Sequence, residues 1–494
     1  MSRRQAPVAS APCAMLAAMT PTFLWHDYET TGADPRRDRP AQFAAIRTTL
    51  DLEPVGEPVS IYCKPAPDVL VNPEACLITG ITPQRMQRDG VIEADFAARV
   101  NELMAEPGTC NAGYNSLRFD DEVTRHLLYR NFHDPYEREW KDGNSRWDLI
   151  DLARMAYALR PDGIEWPRRE DGAPSFRLEH LATANRIVQS RAHDAVSDVE
   201  ALIGLARLLR QRQPRLWNFY FGLRRKQRAF ELLDVVRMTP LLHVSSRYPA
   251  ERGCIAIVAP LATHPTQPNA VIAYDLGVDP TPLVELDADE IADRVFTPRA
   301  DLPEGVERIP LKAIHANRSP AIAPLGVLRG VDLGRLSLEP ARAEAHLARL
   351  RASPGLAAKL QRVFAAGESR RGERDPELAL YDGFPSDADR RLLRAVRETP
   401  PEQLGTRAFA FRDPRYAELL FRYRARNWPD TLDAAERERW DAFRRQRLDS
   451  ATPLTTLTRA ECLEAIARLR GAPTTTTAQV PLLDALESWV RGLD

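Results

Sequence analysis

Three hydrophobic patterns follow one another along this chain, and their succession constrains the fold more than any other sequence feature. From Phe23 to about residue 209, apolar runs typical of strands alternate with segments whose apolar residues recur at helical spacing. Between about 240 and 315, short apolar runs are separated by prolines. Beyond about Pro340 the pattern is helical. The sequence therefore predicts an α/β domain, then a small β-rich domain, then an all-helical domain.

The length agrees with this division, because 494 residues exceed what one hydrophobic core organises. The predicted bounds are 21–212 for the α/β domain, 213–362 for the β-rich domain and 363–494 for the helical domain. We expect residues 1–20 to be a disordered extension. Arg3 and Arg4 precede a small-residue stretch that imitates a secretory leader, but the prolines at 7 and 12 oppose that interpretation. Met15 and Met19 are alternative start sites.

Individual elements follow from the same patterns. In the first domain we expect a strand from Thr22 that ends near Gly32, and a second strand over 42–48. Helices are expected over 96–104, 121–129, 176–182 and 194–209. In the second domain we expect strands over 241–244, 254–258, 270–274, 283–286 and 309–314. A terminal helix is expected over 482–493.

Composition excludes several classes of protein. The 68 Lys and Arg residues are balanced by 69 Asp and Glu residues, which excludes a uniformly basic, histone-like nucleic-acid binder. No apolar run approaches the length that spans a bilayer, so we expect no membrane association. The 6 cysteines form no C-x-x-C pair and indicate neither a zinc site nor a disulfide framework. These features predict a soluble cytoplasmic protein, and no heptad pattern argues against a monomer.

Three acidic motifs in the first domain are candidates for chemistry. Asp27 and Glu29 lie two residues apart at the end of the first strand, so both carboxylates point to the same face. Asp120 stands at the entrance to a helix, and His193 and Asp198 stand at the start of another. Taken singly, each motif has an ordinary explanation: a solvated strand end for the first pair, and helix capping or surface charge for the others.

Together the motifs predict phosphodiester hydrolysis. Four carboxylates from separate elements can hold two Mg²⁺ or Mn²⁺ ions, which stabilise the attacking and leaving oxygens of a scissile phosphate. A nearby histidine can take a proton from the attacking water at neutral pH.

The order of these motifs resembles that of the DEDDh 3′→5′ exonuclease superfamily, which has a ribonuclease H-like fold. Further segments, spread over all three domains, resemble the exodeoxyribonuclease I family. They are His26-Asp27-Tyr28-Glu29-Thr30-Thr31-Gly32, Asp38-Arg-Pro-Ala-Gln-Phe-Ala-Ala-Ile-Arg47, Leu77-Ile-Thr-Gly-Ile-Thr-Pro83, Arg118-Phe-Asp-Asp-Glu-Val-Thr-Arg125, Asn144-Ser-Arg-Trp-Asp-Leu149, Pro174-Ser-Phe-Arg-Leu-Glu-His-Leu181, Tyr381-Asp-Gly-Phe384, Ser386-Asp-Ala-Asp-Arg390 and Tyr423-Arg-Ala-Arg-Asn427.

The resemblance implies a role for each acidic residue. Asp27, Glu29, Asp120 and Asp198 become metal-binding carboxylates, with Asp27 bridging two Mg²⁺ ions that Mn²⁺ can replace, and His193 becomes the general base. Glu29 also becomes a substrate-binding residue. The resemblance further implies a Src-homology-type barrel as the second domain and a C-shaped body that encircles single-stranded DNA.

Other side chains are candidates for holding the strand or a partner protein. A single strand is bound by Arg beside aromatic residues, and Arg177 beside Phe176 is the first choice for a phosphate contact. The other candidates are Arg118, Arg146 with Trp147, and the alternation of Arg422, Arg424 and Arg426 with Phe421, Tyr423 and Trp428, which is more typical of a packed helix. The resemblance also implies binding of the C-terminal tail of the single-stranded DNA-binding protein, with Arg160 and Arg329 at its rim.

The function predicted from the sequence is degradation of single-stranded DNA from the 3′ end, with release of 5′-mononucleotides, in DNA repair and recombination. Two alternatives stay open. One keeps the chemistry and changes the substrate to RNA or a mispaired primer end. The other is a binding protein that keeps the fold and holds single strands without cutting them.

Overall fold

A computed structural model describes residues 20–187, 195–366 and 374–493 of the chain. The predicted N-terminal extension, apart from Thr20, lies outside these ranges.

The first domain is built on a mixed five-stranded sheet. Its strands lie in the order β3-β2-β1-β4-β5, in which β1 pairs antiparallel with β2 and parallel with β4. The strands are β1 Thr22–Thr30, β2 Pro40–Thr49, β3 Val59–Tyr62, β4 Thr109–Gly113 and β5 Ser145–Asp148. The predicted α/β class of this domain is confirmed.

Helices cover both faces of this sheet. Along β1, Phe23 and Trp25 enter the core shared with α7, whereas Leu24 and Tyr28 enter the core on the opposite face with α3 and α4. The helices of this domain are α1 Pro73–Thr79, α2 Pro83–Asp89, α3 Glu93–Ala105, α4 Asp120–Arg130, α5 Leu149–Leu159, α6 Leu178–Ala184 and α7 Ala195–Arg212. Two further helices follow: α8 Pro214–Gly222 packs on α5 and α7, and α9 Lys226–Leu232 packs on a strand of the second domain. Side chains alternate between the two faces of a strand, and both faces of β1 are covered by helices. The first part of β1 is therefore apolar on both faces, and its acidic residues lie near its end.

The second domain contains an antiparallel five-stranded sheet in the order β10-β6-β7-β8-β9. Its strands are β6 Leu241–Val244, β7 Ile255–Thr263, β8 Ala270–Asp275, β9 Leu311–His315 and β10 Ile322–Pro324. Its helices are α10 Thr281–Glu285, α11 Ala288–Phe296, α12 Leu333–Leu336, α13 Pro340–Arg351 and α14 Leu356–Ala366.

Two details of the second domain differ from the sequence predictions. The run 283–286, predicted as a strand, belongs largely to α10, because Pro282 occupies the first turn, where its missing N–H costs nothing. Among the described strands, the edges β9 and β10 do not pair with each other, so the sheet is open and the barrel is not closed. The short strand β10 ends at Pro324, which has no N–H to donate to a further strand.

The described part of the third domain is helical, as predicted. Its helices are α15 Asp387–Glu398, α16 Arg415–Asn427, α17 Ala434–Asp449, α18 Arg459–Arg470 and α19 Val480–Arg491. It shares an apolar core with the first domain, in which Cys76 and Ile81 pack with Ile466 and Leu483. The first and third domains are therefore joined by buried side chains.

A buried ionic cluster also joins these two domains. Asp68, which is 0% exposed, accepts hydrogen bonds from Arg426 at 2.7 Å and from Arg447 at 2.6 Å. Arg39 donates to Glu377 at 2.7 Å. Burial alone would raise the pKa of the Asp68 carboxyl, but the two guanidinium groups outweigh burial and hold that pKa well below its usual range. Asp68 is therefore ionised in the folded protein and stabilises it at neutral pH.

We expect Asp68→Asn to lower the free energy of unfolding at pH 7 by about 3 kcal/mol, because it removes the charge of Asp68 from two buried guanidinium groups, which then share only Glu377. A lowered native pKa means that the contribution is complete well above about pH 4, the pKa of an unfolded Asp, and is lost as pH falls further. The difference between variant and wild type should therefore shrink in acid. Urea unfolding at pH 7 and at acidic pH measures both effects, and Asp51→Asn, which removes an exposed pair with Arg210, is the control.

Candidate active site

The acidic end of β1 is the centre of the candidate site. Asp27 and Glu29 continue the strand face that carries Phe23 and Trp25, which is the face covered by α7. Asp198 lies in the first turn of α7. One oxygen from each of Asp27, Glu29 and Asp198 lies within 4.8 Å of the others. The structure thus brings together three carboxylates that are far apart in sequence.

Asp120 lies next to this group but is differently engaged. It is the first residue of α4 and is 4% exposed, and its Oδ1 accepts a hydrogen bond from the backbone N–H of Tyr28 at 3.2 Å. Burial, together with the charge of Asp27, raises the pKa of Asp120 well above its usual value. The N-cap of α4 is Phe119, so helix capping does not explain Asp120. Asp120 therefore holds a proton more readily than an ordinary Asp at the acidic end of β1.

The carboxylates fit a hard divalent cation. Burial and the neighbouring Asp198 raise the pKa of Asp27 to about 7, which shows how unfavourable an unpaired charge is at this position. Carboxylate oxygens are the ligands that Mg²⁺ and Mn²⁺ prefer. A bound cation would offset the repulsion among these acids, so the donor set matches the predicted metal.

His193, the predicted base, lies outside the described residues, in the segment between Ile187 and Ala195. Its role therefore stays a prediction. The same segment holds Asp194, where the sequence predicted the start of α7.

A cleft of about 970 Å³ opens over the carboxylates. Asp27 and Asp198 line it together with Phe176 and Arg177, and the Arg177 side chain is 75% exposed. A further part of its wall comes from residues 246–251 of the second domain, including Arg247. Sequence reasoning missed this wall, because the β6–β7 connection carries no motif and is distant from the acids along the chain.

Asp148 is a second residue that the sequence did not single out for function. Its carboxylate accepts backbone hydrogen bonds from Asn115 at 2.8 Å and from Leu117 at 3.2 Å. Asn115 adopts a left-handed conformation with φ of 61°. Asp148 thus holds the bend that leads from β4 into Asp120.

Some residues that were predicted to contact the DNA strand lie in the protein core. Trp147 is 0% exposed, so it cannot stack on a base, and that prediction is wrong. Arg146 is buried and pairs with Asp121 at 2.8 Å and with Glu139 at 3.0 Å, which makes it an internal charge. Internal ion pairs also engage Arg422, Arg424 and Arg426, in agreement with a packed helix. By contrast, Arg118 is exposed and lines a second cleft beside the first.

The two predicted rim residues for a partner tail lie on one surface. Arg160 donates to the backbone carbonyl of Val327 at 3.0 Å, two residues before the exposed Arg329.

Among the described residues, no helix combines the length and apolar character needed to cross a membrane.

Known proteins resemble the chain along most of its length. Residues 24–206 match the family described as Exonuclease, residues 224–366 the Exonuclease I SH3-like domain, and residues 374–493 the Exonuclease I C-terminal domain. Exodeoxyribonuclease I of Escherichia coli (strain K12) is 50% identical over 425 residues, which are 86% of this chain and 89% of that protein.

Solved structures agree with these sequence matches. The crystal structure of E. coli exonuclease I in complex with a dA16 oligonucleotide matches with a TM-score of 0.90 and 46% identity, over 96% of this chain and 100% of that chain. An ExoI/SSB-Ct complex matches with a TM-score of 0.89 and 45% identity, over 96% of this chain and 100% of that chain.

We expect Asp27→Asn to weaken Mn²⁺ binding in the absence of DNA by roughly tenfold or more, because it removes one carboxylate from the group of three. Asp151→Asn is the matched control, since Asp151 lines the second cleft and is engaged by Arg154 at 2.6 Å. Isothermal titration calorimetry with Mn²⁺ measures the affinity of both variants. Equal affinities in the two variants would show that the metal binds elsewhere.

Proposed function

The chain belongs to the exodeoxyribonuclease I family, and from that premise we propose that it degrades single-stranded DNA from the 3′ end and releases 5′-mononucleotides. The observation that carries this proposal is the meeting of Asp27, Glu29 and Asp198 at the end of β1, inside an open cleft. Structures of the E. coli relative with a dA16 oligonucleotide support the choice of substrate.

In this proposal Asp27, Glu29, Asp120 and Asp198 hold two Mg²⁺ ions. When bound, such ions stabilise charge on the attacking and leaving oxygens. His193 takes the proton from the attacking water. The exposed guanidinium of Arg177, on the same cleft as Asp27, binds a backbone phosphate of the strand and aligns the terminal nucleotide.

We propose for the protein the cellular role and location that were predicted from its sequence. A nuclease of this polarity fits the removal of 3′-ended strands in DNA repair and recombination. The five described cysteines are buried free thiols, which is compatible with a reducing cytoplasm. We propose that the enzyme acts there as a monomer.

The expected activity is tested with an oligonucleotide labelled at its 5′ end, offered as single strand, as paired duplex, as duplex with a mispaired 3′ end and as RNA, with Mg²⁺ or with EDTA. We expect a Mg²⁺-dependent ladder that shortens from the 3′ end of the single strand. Asp27→Asn should lower the rate by at least about a hundredfold, because it removes a carboxylate that would hold the ions stabilising the reacting phosphate, while strand binding in EDTA is retained.

Other outcomes of that experiment favour the alternatives. Preferential shortening of the RNA would place the chain among exoribonucleases, and attack on a mispaired duplex end would indicate proofreading. Tight binding of the single strand without shortening in Mg²⁺ or Mn²⁺ would support a binding protein.

We further propose that the surface around Arg160 and Arg329 binds the C-terminal tail of the single-stranded DNA-binding protein, as the ExoI/SSB-Ct complex of a relative suggests. A basic rim suits an acidic peptide. The carbonyl of Val327, held by Arg160, fixes the turn that presents the exposed Arg329.

Arg329→Glu should weaken binding of a tail peptide several-fold, because it replaces attraction by repulsion at the rim. Hydrolysis of free oligonucleotide should be unchanged. Arg299→Glu, an exposed charge reversal between α11 and β9, is the control for net charge. Fluorescence anisotropy with a labelled peptide measures the affinities, and an unchanged affinity in Arg329→Glu would contradict the assignment.

A further inference from the structure

The loop that follows the metal-binding strand is held from outside by the third domain. We call residues 31–39, between β1 and β2, the β1–β2 loop. The loop begins two residues after Glu29, and its last three residues contact residues of the third domain that follow Asp375 in the chain. This arrangement connects a candidate metal ligand with a helical domain whose described residues place no carboxylate in the site.

The inner end of the loop is closed by two hydrogen bonds. The backbone N–H of Thr31 donates to the carbonyl of Arg39 at 2.8 Å, and the backbone N–H of Arg39 donates to Oγ1 of Thr31 at 2.9 Å. The pairing of β1 with β2 shifts between Glu29 and Thr30. The direction of the Glu29 side chain therefore depends on where the loop begins.

Asp38, the last residue but one of the loop, makes bonds in two directions. Its Oδ2 accepts the backbone N–H of Asp34 at 2.8 Å, which folds the loop upon itself, and its Oδ1 accepts the hydroxyl of Thr456 at 2.9 Å. A Cβ at Gly32 would lie 2.4 Å from Oδ2 of Asp38, so a larger residue at this position would displace the Asp38 carboxylate. Asp38 thus connects the interior of the loop with the third domain.

The neighbours of Asp38 are held by the same domain. Arg37 donates through Nε to the carbonyl of Pro453 at 2.6 Å, and its own carbonyl accepts Nη2 of Arg447 at 3.3 Å. Arg39 is 2% exposed and donates to Glu377 at 2.7 Å. Three consecutive loop residues therefore each contact the third domain.

We propose that Thr456, acting through Asp38, is a positioning residue that sets the β1–β2 loop and with it the metal-binding geometry of Glu29. The inference rests on the proposed function, since it takes Glu29 to be a metal ligand. The third domain then contributes to hydrolysis without touching the substrate phosphate. Loss of the Thr456 hydroxyl loosens the loop and lowers the affinity for the metal.

The test compares Thr456→Val with Gln84→Met in the full-length protein. Each variant removes one hydrogen bond between the first and third domains, since Gln84 of α2 donates to the carbonyl of Ala485 in α19 at 2.6 Å. Gln84 does not contact the β1–β2 loop through that bond. Isothermal titration with Mn²⁺, without DNA, should show binding weakened about two- to tenfold in Thr456→Val and unchanged in Gln84→Met.

Further variants separate positioning from folding. Thr456→Ser keeps the hydroxyl and should restore wild-type Mn²⁺ affinity. Asp38 accepts one hydrogen bond on each carboxylate oxygen, so the amide NH₂ in Asp38→Asn can no longer accept one of them. This variant should weaken Mn²⁺ binding even if Thr456→Val does not fold. A lower melting temperature in Thr456→Val with unchanged Mn²⁺ affinity would show a merely structural role and would overturn the inference.

Failure of the proposed function has a different signature. If the wild type released no mononucleotides but Thr456→Val still weakened Mn²⁺ binding, the positioning role would stand and the assigned reaction would be wrong. If the wild type hydrolysed single strands and Thr456→Val matched Gln84→Met in Mn²⁺ affinity, only the positioning role would fall. Absence of Mn²⁺ binding in the wild type would overturn the inference.

Discussion

The buried charges between the first and third domains are the constraint on which the rest of the structure depends. Asp68 and Glu377 are deeply buried and face the guanidinium groups of Arg39, Arg426 and Arg447. Charges at such depth are tolerated only when each has its partner, so each domain supplies counter-charges that the buried charges of the other domain need. Arg39 also closes the β1–β2 loop. The same cluster that joins the domains therefore lies beside the chemically important end of β1.

The candidate active site follows from the burial of β1 on both faces. Phe23 and Trp25 pack beneath α7, and period-two alternation continues that face to Asp27 and Glu29. The apolar contacts that hold α7 on the sheet also bring Asp198 to the acids. Ordinary core packing thus places three like charges within a few ångströms, at a cost that a divalent cation offsets.

Much of this arrangement was predictable from sequence, because strand alternation and helical spacing report burial directly. They gave the first domain, four of the five strands expected in the second domain, and the helical third domain. They failed at 283–286, where the short apolar run after Pro282 was predicted as a strand but lies largely in a helix. They also failed at Trp147, whose position in the core follows from tertiary packing alone. Asp148 and the β6–β7 wall were missed because their partners are remote in sequence. The site residues were predicted from motifs, and His193 lies outside the described part of the chain.

The cleft has a consequence for how such an enzyme can change over evolution. The carboxylates and Arg177 belong to the first domain, whereas Arg247 and its neighbours, which line the same cleft, belong to the second. Loops that connect strands tolerate substitution and insertion far better than the strands themselves. Mutations in the β6–β7 connection can therefore change the lining of the cleft without altering the acids at the end of β1. This part of the cleft and the carboxylates are encoded in separate stretches of the gene, so natural selection can act on one without damaging the other.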